Sequence, residues 1–431
     1  MDDTVFTLLH RRRAIMRVLI YEPQFLGHNL GHVALLLNEL AKLPCEVTVA
    51  TSRQAIESPE FAVQLGHLDS QIQLAVLDGF RLDKHHRRVR TGGMLGSTAT
   101  YRGLCQAIDR TRPGHVFVPY GNTLARIACL PVGLSRRLRR CGAEAETLLI
   151  GGRFMLRESQ WFSHLRQRIS YKMLARGPWT NVFHLDLAAV ELLHAGGDTL
   201  RRMVKLMPEP VHLPGTQTKL AARQLLRIPT DGRYVAVTGL IEERKGIGRL
   251  IEALHELPGD CRLLLAGKCD PPTRALLHEQ HGELLRTGRL IALDRYLAQE
   301  EFDAAIFAAD VIAAVYPAHL HSSSIVVAAA AAGRPVIGAA VGWIGRTIEG
   351  FDLGGTCSPR EPGSLTRALL HGLQVSHQFH LSPRGQRFVA FNSAANFGAT
   401  WTARLRQRLG LPPSPDLVDW NWVRSKSIAA A

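Results

Sequence analysis

Three segments of this chain gather residues that bind anions or move protons, and two of them are framed by glycines. The first is Gly27-His28-Asn29-Leu30-Gly31-His32. Its glycines let backbone approach a ligand, and the polar side chains between them can exchange hydrogen bonds with it. The second runs from Gly239 to Gly246 and places Arg244 and Lys245 immediately before the closing glycine. Two cations there suit a diphosphate clamp. The third is His319-Leu320-His321-Ser322-Ser323-Ser324. Serines at a helix start can cap it while their hydroxyls and the free N–H groups face an anion. The two histidines could hold or pass protons near neutral pH. Each string also has a plain structural reading, respectively a helix-entry turn, a solvated turn and a helix cap. Two nucleotide-site classes are disfavoured. The second segment lacks the GxxxxGK[ST] spacing of a P-loop, and the first is not GxGxxG. Ser52 and Arg53 stand where a nicotinamide-binding domain would carry an acidic residue.

The elements around these segments follow one plan. Residues 17–21 read as a strand, and the loop after it ends at Gly31. A helix then carries Val33, Leu36, Leu37 and Leu40, followed by a strand at 47–50. Residues 234–238 open a second copy. Its helix carries Ile247, Leu250, Ile251, Leu254 and Leu257, and its next strand covers 262–266. The third segment follows a strand at 311–315 and enters an apolar helix at 325–332, closed by Gly333-Arg334-Pro335. Apolar strands alternating with amphipathic helices predict parallel sheets covered on both faces. In such sheets ligands bind beyond the carboxyl ends of the strands, at helix N-termini. All three segments are placed there.

The chain of 431 residues is long enough for two full cores, with 46 % hydrophobic and 21 % charged residues. No apolar run reaches the length of a membrane span, and the residues around 308–315 carry Asp310. Residues 1–15 read as an extension preceding Met16, with no signal-peptide pattern. Seven cysteines at 45, 105, 129, 141, 261, 269 and 357 show no CxxC spacing, which suits reduced, buried thiols in a cytoplasmic protein. A net charge of +15, with clusters at Arg87–Arg90 and Arg136–Arg140, points to phosphates, an anionic membrane surface or a merely solvated face. Nucleic acid is disfavoured, because the basic residues are dispersed and aromatics are only 6 %. Three prolines in residues 204–214 predict an extended connector. Residues 219–226 predict a short helix. A continuous helix is expected over 390–409, followed by a loosely held tail from Pro412.

On these residues the chain resembles the GT-B glycosyltransferases, and within them the family 4 nucleotide-sugar transferases. The resemblance covers residues 16–409. It is carried by Gly27 and Gly31, by Gly239 to Gly246 and by residues 316–338, whose Ala331-Ala332-Gly333-Arg334-Pro335-Val336 looks like the family's AxGxPV turn. The departures define a divergent subgroup. Leu240 stands where the family carries arginine, while Lys245 is kept and Arg244 stands beside it. The family's two glutamates would fall at Leu320 and Ala328, so both are absent. One of them normally lies near the donor sugar and the other holds the ribose.

The resemblance implies two Rossmann-like, doubly wound parallel-sheet α/β domains facing each other across a cleft. The expected organisation is an extension at 1–15, an acceptor domain at 16–205 and a linker at 206–217. A nucleotide-sugar donor domain at 218–388, a helix at 389–410 crossing back to the first domain and a tail at 411–431 complete it. The implied activity is transfer of a sugar from a nucleoside diphosphate to a glycan, lipid or small-molecule acceptor, with retention of anomeric configuration. His28, Lys245 and His319 are the expected catalytic residues. Gly239, Arg244, Lys245, His321, Ser322, Ser323 and Ser324 are expected to bind the donor. Gly27, His28, Asn29, Gly31, Tyr120 and Asn122 fall on the acceptor side. No metal or other cofactor is implied, the nucleotide sugar being a co-substrate. The alternative is a GT-B-like subunit that binds but does not catalyse.

Overall fold

Apolar runs that bury both faces of a sheet dominate the architecture. The computed structural model describes residues 15–24, 29–67, 72–77, 94–122, 124, 133–150, 169–317 and 319–420. They divide into two compact units. One extends to Met207 and regains Phe397–Leu417; the other comprises Pro208–Asn396 and the residues from Val418.

The first unit holds β1 (Met16–Tyr21), β2 (Cys45–Ser52), β3 (Gln73–Leu77), β4 (His115–Val118), β5 (Glu144–Leu149), β6 (Asn181–His184) and β7 (Val204–Leu206). These form one parallel sheet of seven strands in the order β3-β2-β1-β4-β5-β6-β7. Side chains alternate along β1. Leu19 and Tyr21 enter the core on one face, with Val116, Val118 and Leu149. Val18 and Ile20 enter the core on the other, with Val49, Phe117 and Phe183. That second core is closed from far along the chain by Phe397, Trp401 and Leu405 of the helix Ala394–Arg408. The Trp401 ring meets Phe117, Phe183 and Phe397 at centroid distances of 6.1, 6.2 and 5.2 Å. Arg404 of the same helix pairs with Glu144 through both guanidinium arms.

The second unit holds β8 (Arg233–Thr238), β9 (Cys261–Ala266), β10 (Leu290–Leu293), β11 (Val311–Ala314), β12 (Val336–Ala339) and β13 (Gly354–Cys357), parallel and ordered β10-β9-β8-β11-β12-β13. Val235 pairs with Leu263 on one side and Val311 on the other. At the amino ends of β8 and β11, Asp310 accepts the Tyr234 N–H at 2.7 Å and the Arg223 guanidinium at 3.1 Å, and it also pairs with Lys219. This buried carboxylate pins the two strands side by side.

Three expectations are corrected. The residues read as an extended connector begin inside the sheet, because Val204–Leu206 pairs with β6. The single helix expected over 390–409 is two, Pro383–Phe391 and Ala394–Arg408. Asn392 and Ser393 separate them, since their side chains compete for helix backbone groups. Asn392 donates to the Phe388 carbonyl, and Ser393 accepts from the Asn396 N–H. The tail is also held over its described part, with Trp420 packed 4.1 Å from Phe391 and Val418 N–H bonded to Asn396.

Trp401 is fully buried and its indole nitrogen has no hydrogen-bond partner. Trp401→Ala is expected to destabilise the first unit by about 3–5 kcal/mol in denaturant unfolding. Trp401→Phe should cost much less, because it keeps the edge-to-face contacts and removes the unpartnered N–H.

Candidate functional site

The strand order of the second unit has one switch point. The chain winds outward from β8 through β9 to β10, then returns to lay β11 against the other side of β8. Loops leaving β8 and β11 therefore diverge, and ligands of open parallel sheets sit in such a crevice. The second and third polar segments of the sequence are these two loops.

After β8 the backbone turns at Gly239, with φ +84°, and is tied to the loop after β9. The Gly239 N–H bonds to the Ala266 carbonyl, and Ile241 and Lys268 pair at 2.8 Å. A Cβ on Gly267 would overlap the Gly239 carbonyl, so the two loops can touch only through glycine. A short 3-10 turn, Glu243–Lys245, follows. Gly246, at φ +71°, then starts the helix Ile247–Glu256. The turn points its two cations differently. Arg244 is exposed and pairs with Glu242 at 2.8 Å. Lys245 is only 5 % exposed. Its Nζ donates to the Thr238 carbonyl at 2.6 Å and lies 5.9 Å from the Tyr316 ring centroid. Burial lowers the Lys245 pKa to about 8, with Arg244 adding to the shift and Glu242 opposing it. Leu240, in the same loop, is 47 % exposed.

The loop after β11 is shaped from the opposite side by Gly342, which opens the helix Gly342–Phe351 at φ +61°. A Cβ there would lie 2.6 Å from the Leu320 Cα. The Trp343 N–H holds the Leu320 carbonyl at 3.2 Å. The His319 Nε2 lies 3.2 Å from the Ser322 carbonyl. Because a carbonyl can only accept, this nitrogen carries the proton and Nδ1 is left as an acceptor. Burial holds the His319 pKa below its ordinary 6.5; the Ser322 bond opposes that, while His321, Arg244 and Lys245 reinforce it. The imidazole is thus neutral at physiological pH. Its ring stands edge-on to Tyr316 and His321 at 5.5 and 5.8 Å. Burial also keeps the Tyr316 phenol protonated, and its hydroxyl meets the Ser323 side chain.

The expected role of the serines needs correcting in one respect. Ser323 is the N-cap residue of the helix Ser324–Ala331, but its side chain makes no capping bond. Tyr316 engages it instead, and the helix is closed by backbone bonding from Val326 to the Ser323 carbonyl. Ser324 is exposed. Gly239, Arg244, Lys245, His319, His321, Ser322 and Ser323 thus belong to the two loops of one switch point. Two further residues were not singled out in the sequence. Tyr316 is one, and the other is Glu209, whose carboxyl group meets the Ser322 hydroxyl.

In the first unit the switch point lies between β1 and β4. Glu22, directly after β1, is 1 % exposed and accepts from the Gln24 N–H at 3.0 Å and the Asn29 amide at 3.5 Å. Asn122, after β4, accepts from the Ile150 N–H at 3.1 Å, and Tyr120 is half-buried beside it. Gly27 and His28 lie outside the described residues. The glycine loop is shorter than expected, because the helix begins at Asn29 and includes Gly31. A Cβ on Gly31 would meet nothing closer than Gln64 at 3.9 Å, so no close packing requires that glycine. Glu22 could have been found in the sequence as the first residue after the first strand.

No protein-family model matches the chain. D-inositol 3-phosphate glycosyltransferase of Mycolicibacterium smegmatis is 30 % identical over 219 residues, covering 46 % of each chain. The enzyme of that name from Mycobacterium bovis is 30 % identical over 224 residues, 50 % of this chain and 42 % of its own. The chain therefore spans about half the length of the curated relatives it matches. Among solved structures, Anabaena HepE in complex with UDP aligns with a TM-score of 0.65 at 14 % identity, covering 91 % of this chain and 100 % of that one. Sucrose-phosphate synthase from Thermosynechococcus elongatus aligns with a TM-score of 0.65 at 17 % identity, covering 92 % and 99 %.

Among the described residues Lys245 has no carboxylate pair; its folded pKa of about 8 lies below the usual 10.5. The unfolded chain therefore binds more protons between these values, and this lysine's contribution to stability rises with pH across that window. Lys245→Met is expected to leave thermal stability unchanged or raise it at pH 7, with any gain vanishing above about pH 10.5. A large loss at pH 7 would instead make Lys245 a structural residue.

Proposed function

We propose that this chain, whose fold is that of the GT-B glycosyltransferases, transfers a sugar from a nucleoside-diphosphate donor to a hydroxyl of a glycan, lipid or small-molecule acceptor. The observation that carries the reading is the buried Lys245 ammonium at the β8–β11 switch point. A charge kept out of water with only a carbonyl as partner is poorly stabilised by the fold itself. An anion of opposite charge would complete it.

In this reading the diphosphate lies against Lys245, Arg244 and the start of the Ser324–Ala331 helix. When the bond between the anomeric carbon and the phosphate oxygen breaks, its electron pair passes to the diphosphate. Lys245 is already in place to stabilise that charge, without reorganisation. His319, neutral and oriented by the Ser322 carbonyl, supplies a hydrogen-bond acceptor beside the donor. The acceptor substrate is assigned to the first unit, beside Glu22, Asn29, Tyr120 and Asn122, with His28 in the adjoining segment. Retention of configuration is part of the proposal. A binding subunit without catalysis is the competing reading.

The first test is thermal stabilisation by UDP, ADP and GDP. Ligand at 100 times its dissociation constant adds ~2.7 kcal/mol to the native state. Lys245→Ala is expected to weaken the nucleotide that binds by roughly ten- to hundredfold. Binding to the native protein should also weaken as pH rises through about 8, where Lys245 loses its proton. Binding without release of nucleoside diphosphate from a nucleotide sugar, across a panel of acceptors, would select the binding-subunit reading.

The proposed place of action is the cytoplasmic face of a membrane. Its support is the helix Leu134–Cys141, which buries Leu134 and Leu138 and exposes Arg136, Arg139 and Arg140. Among the described residues no helix is long and apolar enough to cross a membrane. The protein is expected to sediment with anionic vesicles at low ionic strength and to be released at 1 M salt, where the Debye length is about 3 Å. Absence of sedimentation with anionic vesicles at low and high salt alike would remove the membrane from the proposal.

A further inference from the structure

Glu209 stands in the proline-rich stretch Met207-Pro208-Glu209-Pro210, which forms neither helix nor strand. Its main chain is fixed on both sides. The Glu209 N–H donates to the Asn392 Oδ1 at 2.8 Å, and its carbonyl accepts from the Val211 N–H at 2.9 Å. The Val211 carbonyl in turn accepts from the Ala394 N–H at 2.9 Å. These bonds hold the residue against the break between the two C-terminal helices, and none of them uses its carboxyl group. The side chain turns toward the loop after β11. There it meets the Ser322 hydroxyl, while its Oε2 is buried with no hydrogen-bond partner. Burial raises the Glu209 pKa to about 7, and the Ser322 hydroxyl opposes the rise.

A buried carboxylate oxygen without a donor is destabilising, and the backbone contacts give no reason for a glutamate at this position. Glutamine has the same shape and could hold itself there without charge. What a carboxylate supplies is acceptor capacity, up to four lone-pair sites aimed at donors. The adjoining loops already present cations for a diphosphate, and a carboxylate would repel one. The occupant that fits Oε2 is a neutral group rich in hydroxyl donors.

We infer that Glu209 is a donor-specificity residue, accepting hydrogen bonds from hydroxyls of the sugar carried by the nucleotide, with Ser322 fixing its orientation. The inference rests on the donor site proposed above and assigns the sugar subsite within it. Phosphate recognition and sugar recognition are divided between Lys245, from the loop after β8, and Glu209, from the stretch before the second unit's first helix. A hydroxyl-for-acceptor match of this kind discriminates strongly, because a sugar lacking the hydroxyl leaves the carboxylate unpaired.

The test compares UDP with UDP-glucose, ADP with ADP-glucose and GDP with GDP-glucose on native protein and on Glu209→Gln. The quantity read is the ratio of the two dissociation constants within a pair. For the pair that binds, Glu209→Gln is expected to move that ratio against the nucleotide sugar by roughly ten- to hundredfold. Affinity for the nucleoside diphosphate should stay within about twofold. A structural role would weaken both ligands together and overturn the inference, as would an unchanged ratio. Binding of no pair by the native protein would overturn the donor site and this subsite together. If Glu209→Gln fails to fold, Glu209→Asp keeps the charge but withdraws it by one methylene, and the same ratio decides.

Discussion

The lateral pairing of β8 with β11 is the constraint on which the candidate site depends. The two strands are separated in sequence by β9 and β10, yet Val235 and Val311 are direct neighbours. Asp310 secures this at the amino ends by accepting from the Tyr234 backbone and from Arg223. At the carboxyl ends the same adjacency sets the Lys245 ammonium near Tyr316 and within the electrostatic reach of His319. Removing the pairing would leave the residue types intact and dissolve their chemistry.

Glycine decides how closely the site's loops approach. At Gly239, Gly246 and Gly342 the backbone adopts positive φ, and around Gly267 and Gly342 a Cβ would strike neighbouring main chain. Both effects permit polar backbone and side chains to crowd around one crevice without helical or sheet pairing between them. The site groups are correspondingly under-satisfied. Lys245 rests on one carbonyl, Ser323 caps nothing with its side chain, and a Glu209 oxygen is unpaired. Such local departures from good folding practice concentrate where a ligand is expected to complete the hydrogen bonding.

The sheets were legible in the sequence because parallel strands buried on both faces read as continuous apolar runs. β1, β8 and β11 all show this, and the polar loops after them stood out by contrast. Other features were hidden. Val204–Leu206 is too short to show a pattern, and the prolines after it obscured its pairing with β6. The break at Asn392-Ser393 depends on side chains bonding to helix backbone, an effect that apolar spacing at Phe397, Trp401 and Leu405 does not register. Glu209 was hidden for a different reason. Its meaning comes from a contact with Ser322 more than a hundred residues away, and its own neighbours say only that the chain is extended.

The helix Ala394–Arg408 has a consequence for how the chain is made. Phe397, Trp401 and Leu405, with Leu409 and Leu411 packed against them at the edge, complete a core whose other described members all precede residue 208. Every residue from Pro208 to Asn396 is synthesised in between. A nascent chain therefore displays the uncovered side of Phe117 and Phe183 throughout that interval, by the end of which the second sheet, contiguous in sequence, has all its strands. The first unit's core is thus closed only after every strand of both sheets has been made, although domains usually fold in order from the amino terminus.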